Sequence, residues 1–185
     1  MHYFAYGSNL NLVHLHDYVT NHDVDTEGFG VHEVAILEDR QLRTNYVSST
    51  HGAGACNIEP SEGSTVEGLV MEISSAIREV LRIKEGWPDR YQEVEVEVLV
   101  NDADEPLRAI IYIVAPDHRL DVDMPVTPRY RRIVLDGARA AGLSDLYQEQ
   151  LAGLLRTTES SVKDYGGESR AGSRRTTSSS LESSG

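Results

Sequence analysis

Two short runs carry the residues best suited to chemistry. In Tyr3-Phe4-Ala5-Tyr6-Gly7-Ser8-Asn9-Leu10 an apolar strand feeds a turn. Gly7 tolerates backbone conformations and close approaches closed to other residues, while Ser8 and Asn9 favour turns and caps. If a helix opens at Asn11, the backbone N–H groups of this loop lie near its positive end, where a carboxylate or a developing oxyanion is stabilised. In Ile83-Lys84-Glu85-Gly86-Trp87-Pro88-Asp89-Arg90-Tyr91, Glu85 occupies the final turn of a helix that Gly86 stops. The helix dipole disfavours a carboxylate there by roughly 0.3–1 kcal/mol. Burial beside Trp87 or Tyr91 would raise its pKa toward the range in which a glutamate both takes and gives protons near neutrality. On residue types alone, an ordinary strand-turn-helix corner and a surface glutamate paired with Lys84 stand beside these functional readings.

The other candidates carry less. His14 and His16 are two apart and point to different faces of a helix, with no third ligand at a useful spacing, so no metal site is expected. Cys56 lies on an expected strand with no histidine nearby in sequence and reads as buried packing rather than a nucleophile. Gly52, Gly54 and Gly63 form neither a dinucleotide fingerprint nor a phosphate loop, so a nucleotide cradle has no support.

The elements that must position these residues are mostly strands. Gln92–Val100 alternates valine with glutamate, the period of a strand with one buried and one wet face, and turn chemistry at Asn101–Pro106 returns it as Ala109–Ala115. Further strands are expected at Tyr3–Ala5, Gly30–Leu37, Gln41–Val47, Ala55–Ile58 and Val66–Ile73, with turns at Glu38-Asp39-Arg40 and Ser61-Glu62-Gly63-Ser64. Ser74 or Ser75 caps a helix over Ala76–Lys84 whose Ile77, Val80, Leu81 and Lys84 share one stripe. Pro128 opens a helix to Ala141 that Gly142 ends, Ser144 caps another from Asp145 to Leu155, and a short helix is expected from Asn11 to about Tyr18. The class is α+β, with an antiparallel or mixed sheet or barrel and flanking helices.

Composition bounds the partners. With 185 residues and a net charge of −13, the chain repels phosphate backbones and anionic headgroups, which excludes nucleic acid and membrane surfaces as expected partners. The start lacks a basic, apolar secretory signal and no stretch approaches the ~18 apolar residues of a membrane helix, so the expected localisation is cytoplasmic. The single Cys56 agrees with a reducing compartment. Lys84 and Lys163 are the only lysines among 17 basic residues, a balance that proteins of very salty cytoplasms also show. From Thr157 onward Ser, Thr and Gly dominate, and 157–185 reads as a disordered, charge-balanced tail. The domain is 1–156 and carries the whole net charge. Oligomeric state is not readable.

Four blocks in register carry a resemblance: YFAYGSNL at 3–10, GACNIEPSEGSTVEG at 54–68, Glu85-Gly86 followed by Tyr91, and TPRYRRIVLDGARAAGL at 127–143. In that order and spacing the chain resembles the gamma-glutamylcyclotransferase family over about residues 2–155. The resemblance implies a small mixed β-barrel with flanking helices and a cavity at the barrel's edge. It also implies a reaction in which the α-amino group of a gamma-glutamyl substrate attacks its own γ-carbonyl, releasing an amine and 5-oxoproline without a cofactor. On this resemblance Glu85 is the general acid and base. Tyr3, Phe4, Ala5, Tyr6, Gly7, Ser8 and Asn9 form the substrate loop, with backbone amides around Tyr6, Gly7 and Ser8 as donors. Tyr130 reaches the pocket with its hydroxyl, and the loop from Asp117 to Pro125 is a candidate wall or lid. The competing readings are a hydrolase or acyltransferase that uses Glu85 to activate another nucleophile, and a catalytically silent acidic binding protein.

Overall fold

A computed structural model of the chain describes residues 1–50, 52–100 and 105–157. Five strands, β1 (His2–Ala5), β2 (Phe29–Ser48), β3 (Ala53–Ile73), β4 (Tyr91–Val100) and β5 (Leu107–Val114), close into a barrel in the order β1-β3-β2-β4-β5. All neighbours are antiparallel except β1 and β5, which meet in parallel at Tyr3 and Ile110. Closure leaves no free sheet edge along the joined strands, and Phe4, Val66, Val70, Val98 and Ile111 are buried on one shared face of them. The expected α+β barrel with flanking helices is the observed architecture.

The strand inventory differs in one respect. The four short strands expected between Gly30 and Ile73 are two long ones, and the two expected turns are irregularities within a continuous pairing. Asp39 adopts a left-handed φ of 52° where the register slips between Glu38 and Arg40, and its Oδ1 accepts the Gly63 N–H at 2.8 Å, Gly63 having a φ of 74°. Turn-forming residues thus serve a bulge because pairing continues on both sides of it. The connection at 101–104 and the tail from 158 lie outside the described residues. Arg156 and Thr157 still belong to the body: Val126 donates its N–H to Arg156 O at 2.8 Å, and Val126 bridges Thr157.

Four helices flank the barrel: α1 (Leu12–Thr20), α2 (Ser75–Glu85), α3 (Pro128–Ala141) and α4 (Asp145–Leu154). The caps at Ser74 and Ser144 are expected ones, and Thr127 adds a third before Pro128. Ser74 Oγ accepts the Ile77 N–H, Thr127 Oγ1 that of Tyr130 and Ser144 Oγ that of Tyr147. Gly86 ends α2 with a φ of 67°, and Trp87 N–H closes the turn on Arg82 O at 2.9 Å. Ile77, Val80 and Leu81 bury one face of α2, and Arg78 and Arg82 clamp the other to Glu93 of β4. Glu93 therefore does not share the wet face of its strand with the exposed Glu95 and Glu97. α3 lies so close to the Leu10–Asn11 backbone that a Cβ on Gly137 would stand 2.5 Å from Asn11 N. A small residue there sets the approach of α3 to the loop.

Candidate active site

The Tyr3–Leu10 run leaves the barrel as β1 and closes with a single 3-10 turn over Ser8–Leu10. That turn uses the N–H groups of Leu10, to Gly7 O, and of Asn11, to Ser8 O. The Ser8 and Asn9 N–H groups therefore have no partner within the turn. Asn11 then caps α1, its Oδ1 accepting the His14 N–H at 3.1 Å. Gly7 has a φ of −121°, so its need for a small residue comes from proximity: a Cβ would lie 3.2 Å from Cys56 Cβ and 3.4 Å from the Tyr130 hydroxyl.

This loop, the C-terminal end of α2 and the first turns of α3 enclose a cavity of about 330 Å³. Tyr3, Tyr6, Gly7, Ser8, Asn9, Glu85 and Tyr130 all line it. Phe4 and Ala5 do not: both are fully buried, packed against β3 where a Cβ on Gly68 would meet Ala5 O and the Phe4 ring. They hold the loop from behind rather than facing a ligand. The loop from Asp117 to Pro125 is not a wall of the cavity either. It is tied to the end of β2, with Leu120 N–H on Asn45 O, Met124 N–H on Thr44 O and Asp123 on Arg43. That side of the cavity is built instead by Tyr46, Ser48, Ser49 and Thr50 from the β2–β3 hairpin.

At the cavity floor, Asn9 Nδ2 donates to Glu85 Oε1 at 2.9 Å and lies 2.7 Å from the Tyr3 hydroxyl. A carboxylate only accepts, which fixes the orientation of the Asn9 amide. Asn9 is 5% exposed, and its Oδ1 is buried without a partner among the described residues. A buried acceptor left open beside a carboxylate suits a cationic donor. Burial raises the pKa of Glu85, opposed by the nearby Lys84 charge and by the Asn9 hydrogen bond. Trp87 plays no part in that burial: it is exposed and stacks on Arg82, 4.2 Å from the guanidinium carbon to its ring centre. Tyr91 does line the cavity. Lys84 makes no ion pair with Glu85; its Nζ stands 5.0 Å from the centre of the Tyr18 ring.

Tyrosines complete the wall. The Tyr130 hydroxyl accepts the Cys56 N–H at 3.0 Å, and the Tyr6 hydroxyl donates to Tyr112 O. Burial raises the pKa of Tyr3, Tyr6, Tyr91 and Tyr130, so each is a neutral hydroxyl. Tyr46 and Tyr112 were not legible as site residues, because single tyrosines on strands look like core. Burial pushes the Cys56 thiol up to about 11, which fits packing rather than nucleophilic work. His14 reaches the cavity, whereas His16 stacks on Phe29 with ring centres 4.7 Å apart. Among the described residues no three metal-ligating side chains gather.

The model of the AIG2-like family matches residues 65–151. A human gamma-glutamylcyclotransferase is 29% identical over 154 residues, covering 80% of this chain and 76% of its own length. A solved structure titled gamma-glutamyl cyclotransferase superposes with a TM-score of 0.73 at 25% identity, over 86% of this chain and 90% of that one. The crystal structure of a human protein described as uncharacterized superposes with a TM-score of 0.72 at 26% identity, over 85% of this chain and 89% of its own. No helix among the described residues is long and apolar enough to cross a membrane. In barrel and sequence alike, the chain is similar to proteins named gamma-glutamylcyclotransferase over most of its length.

Proposed function

We propose that the protein cyclises a gamma-glutamyl group to 5-oxoproline and releases an amine. The observation that carries this is the floor of the cavity: a partly buried carboxylate with a raised pKa, held by Asn9 beside an open, buried Asn9 Oδ1. The substrate's α-ammonium sits between Glu85 and that oxygen. Glu85 takes one proton, and the freed amine attacks the γ-carbonyl of its own side chain. The new C–N bond closes the ring while the carbonyl becomes an oxyanion, stabilised by the Ser8 and Asn9 N–H groups that the turn does not use. Glu85 then gives its proton to the leaving nitrogen as the old C–N bond breaks, takes the second proton from the ring nitrogen and passes it to the departing amine, which leaves as an ammonium ion. No water enters, and Glu85 ends ionised as it began. One carboxylate suffices because the nucleophile is tethered to its target and proximity supplies the effective molarity.

The Tyr3, Tyr6 and Tyr130 hydroxyls shape the cavity around this step. In our reading the setting is a reducing cytoplasm and the partner a small gamma-glutamyl molecule. The test is a panel of gamma-glutamyl dipeptides and amides, with 5-oxoproline followed by mass spectrometry. Wild-type protein is expected to form it, and Glu85→Gln to lose roughly a hundred- to ten-thousand-fold in kcat. Free glutamate as the product would favour hydrolysis, and a Glu85→Gln rate near wild type would remove Glu85 from the mechanism.

A further inference from the structure

Of the glutamates that alternate with valine along β4, Glu93 alone is drawn out of solvent: its side chain is 10% exposed, against 65% for Glu97. Its two oxygens accept from Arg78 Nε at 3.0 Å, Arg82 Nε at 3.1 Å, Arg82 Nη2 at 3.0 Å and the Tyr112 hydroxyl at 2.9 Å. The apolar face of α2 holds the helix on the sheet, but apolar contact is non-directional and does not fix its rotation or its place along its axis. Paired guanidinium–carboxylate bonds do, because their planar forks meet in one geometry.

Contacts lead from Glu93 to Glu85 by two routes. Arg82 stands three residues before Glu85 on α2, so holding its guanidinium holds the end of the helix that carries Glu85. On the other side, Tyr112 is the direct cross-strand partner of Glu93. Its ring packs on Tyr3 with centres 5.9 Å apart, the Tyr3 hydroxyl lies 2.7 Å from Asn9 Nδ2, and Asn9 donates to Glu85. Tyr112 O also accepts the Tyr6 hydroxyl, just before the turn that bears the Ser8 and Asn9 N–H groups. The contacts close a ring: Glu93, Arg82, Glu85, Asn9, Tyr3, Tyr112 and Glu93 again. Glu93 does not itself line the cavity, so it acts there through the residues it holds.

We infer that Glu93 is a positioning residue for the reaction: through Arg82 on one side and Tyr112 on the other it sets Glu85 against Asn9, the pair that takes the substrate's ammonium. This rests on the cyclisation proposed above. A misplacement of about 1 Å at such a pair costs on the order of a hundredfold in rate.

A double-substitution cycle on turnover of gamma-glutamylglycine tests it, each rate being divided by the folded fraction from circular dichroism. Glu93→Gln is expected to lower kcat about ten- to a hundredfold. Asn9→Leu opens the ring at its far side, and the double variant should fall no further than the slower single one, within about twofold. The acid limb of kcat/KM should also move to higher pH in Glu93→Gln, because the Asn9 hydrogen bond that lowers the Glu85 pKa is loosened. Lys84, His14, Arg90 and Arg129 face the same cavity and are unchanged in the variant, so a moved limb reports the Asn9 contact. Arg78→Gln, which leaves Arg82 and Tyr112 on Glu93, should show the same changes in smaller measure and carries the test if Glu93→Gln does not fold. An unchanged kcat, losses that multiply in the double variant, or an acid limb that stays in place while kcat falls would overturn the positioning role. Non-additive losses in a reaction that releases glutamate instead of 5-oxoproline would leave that role standing and overturn the cyclisation.

Discussion

Glu85 sits where two effects oppose its charge: the negative end of α2 and the enclosure of the cavity. Both hold a proton on it to higher pH than in the unfolded chain. As pH rises from the unfolded pKa through the raised folded one, the folded state gives up stability, because it is the state that binds the proton more tightly. Glu85→Gln lacks that penalty. It should therefore melt a few degrees higher than wild type at neutral pH while losing turnover, and the difference should vanish below the ordinary glutamate range. A differential scanning calorimetry series against pH checks this; a variant less stable at neutral pH contradicts it. The same raised pKa places the acid limb of kcat/KM above the usual glutamate range. Removing the Asn9 amide by Asn9→Leu should push that limb higher still, since its hydrogen bond lowers the Glu85 pKa.

α2 is aimed at the cavity by its dock on β4. Arg78 and Arg82 hold Glu93, and the Tyr112 hydroxyl donates to the same carboxylate at 2.9 Å. These hydrogen bonds lower the Glu93 pKa to about 2. That contribution is fully present above the unfolded pKa and is lost as pH falls from about 4.5 to about 2. Glu93→Gln should cost about 2–3 kcal/mol at neutral pH by leaving two arginines without their carboxylate. Urea melts of wild type and variant should converge over that acid window, and a constant gap would contradict the assignment. How much of this was legible in the sequence follows from how local each signal is. Ser74, Gly86, Pro128 and Gly142 mark helix ends through their own side chains or φ, and the structure puts the ends there. The merging of four strands into β2 and β3 depends on pairing between distant residues, so turn chemistry at Asp39 and Gly63 misled. The same holds for Glu93, whose valine-glutamate alternation looked wet until α2 covered it. At the site, Glu85 and Asn9 were legible through their loops and caps, Tyr91 through its place after Glu85 and Tyr130 through the resemblance, whereas Tyr46 and Tyr112 enter only through closure of the barrel.

At the scale of the whole molecule, acidic charge dominates. Self-repulsion of the acidic body should be screened by salt, giving a melting temperature that rises with KCl from low concentration. A flat or falling curve would remove both the self-repulsion and the salty habitat suggested by the scarcity of lysine. The central claim is that the glutamyl amine, rather than water, attacks the γ-carbonyl under the control of Glu85. Turnover of gamma-glutamylglycine in ¹⁸O-labelled water, followed by mass spectrometry, tests it most directly. The account predicts unlabelled 5-oxoproline in equal amount to released glycine, abolished in Glu85→Gln. Glutamate carrying the label would contradict it.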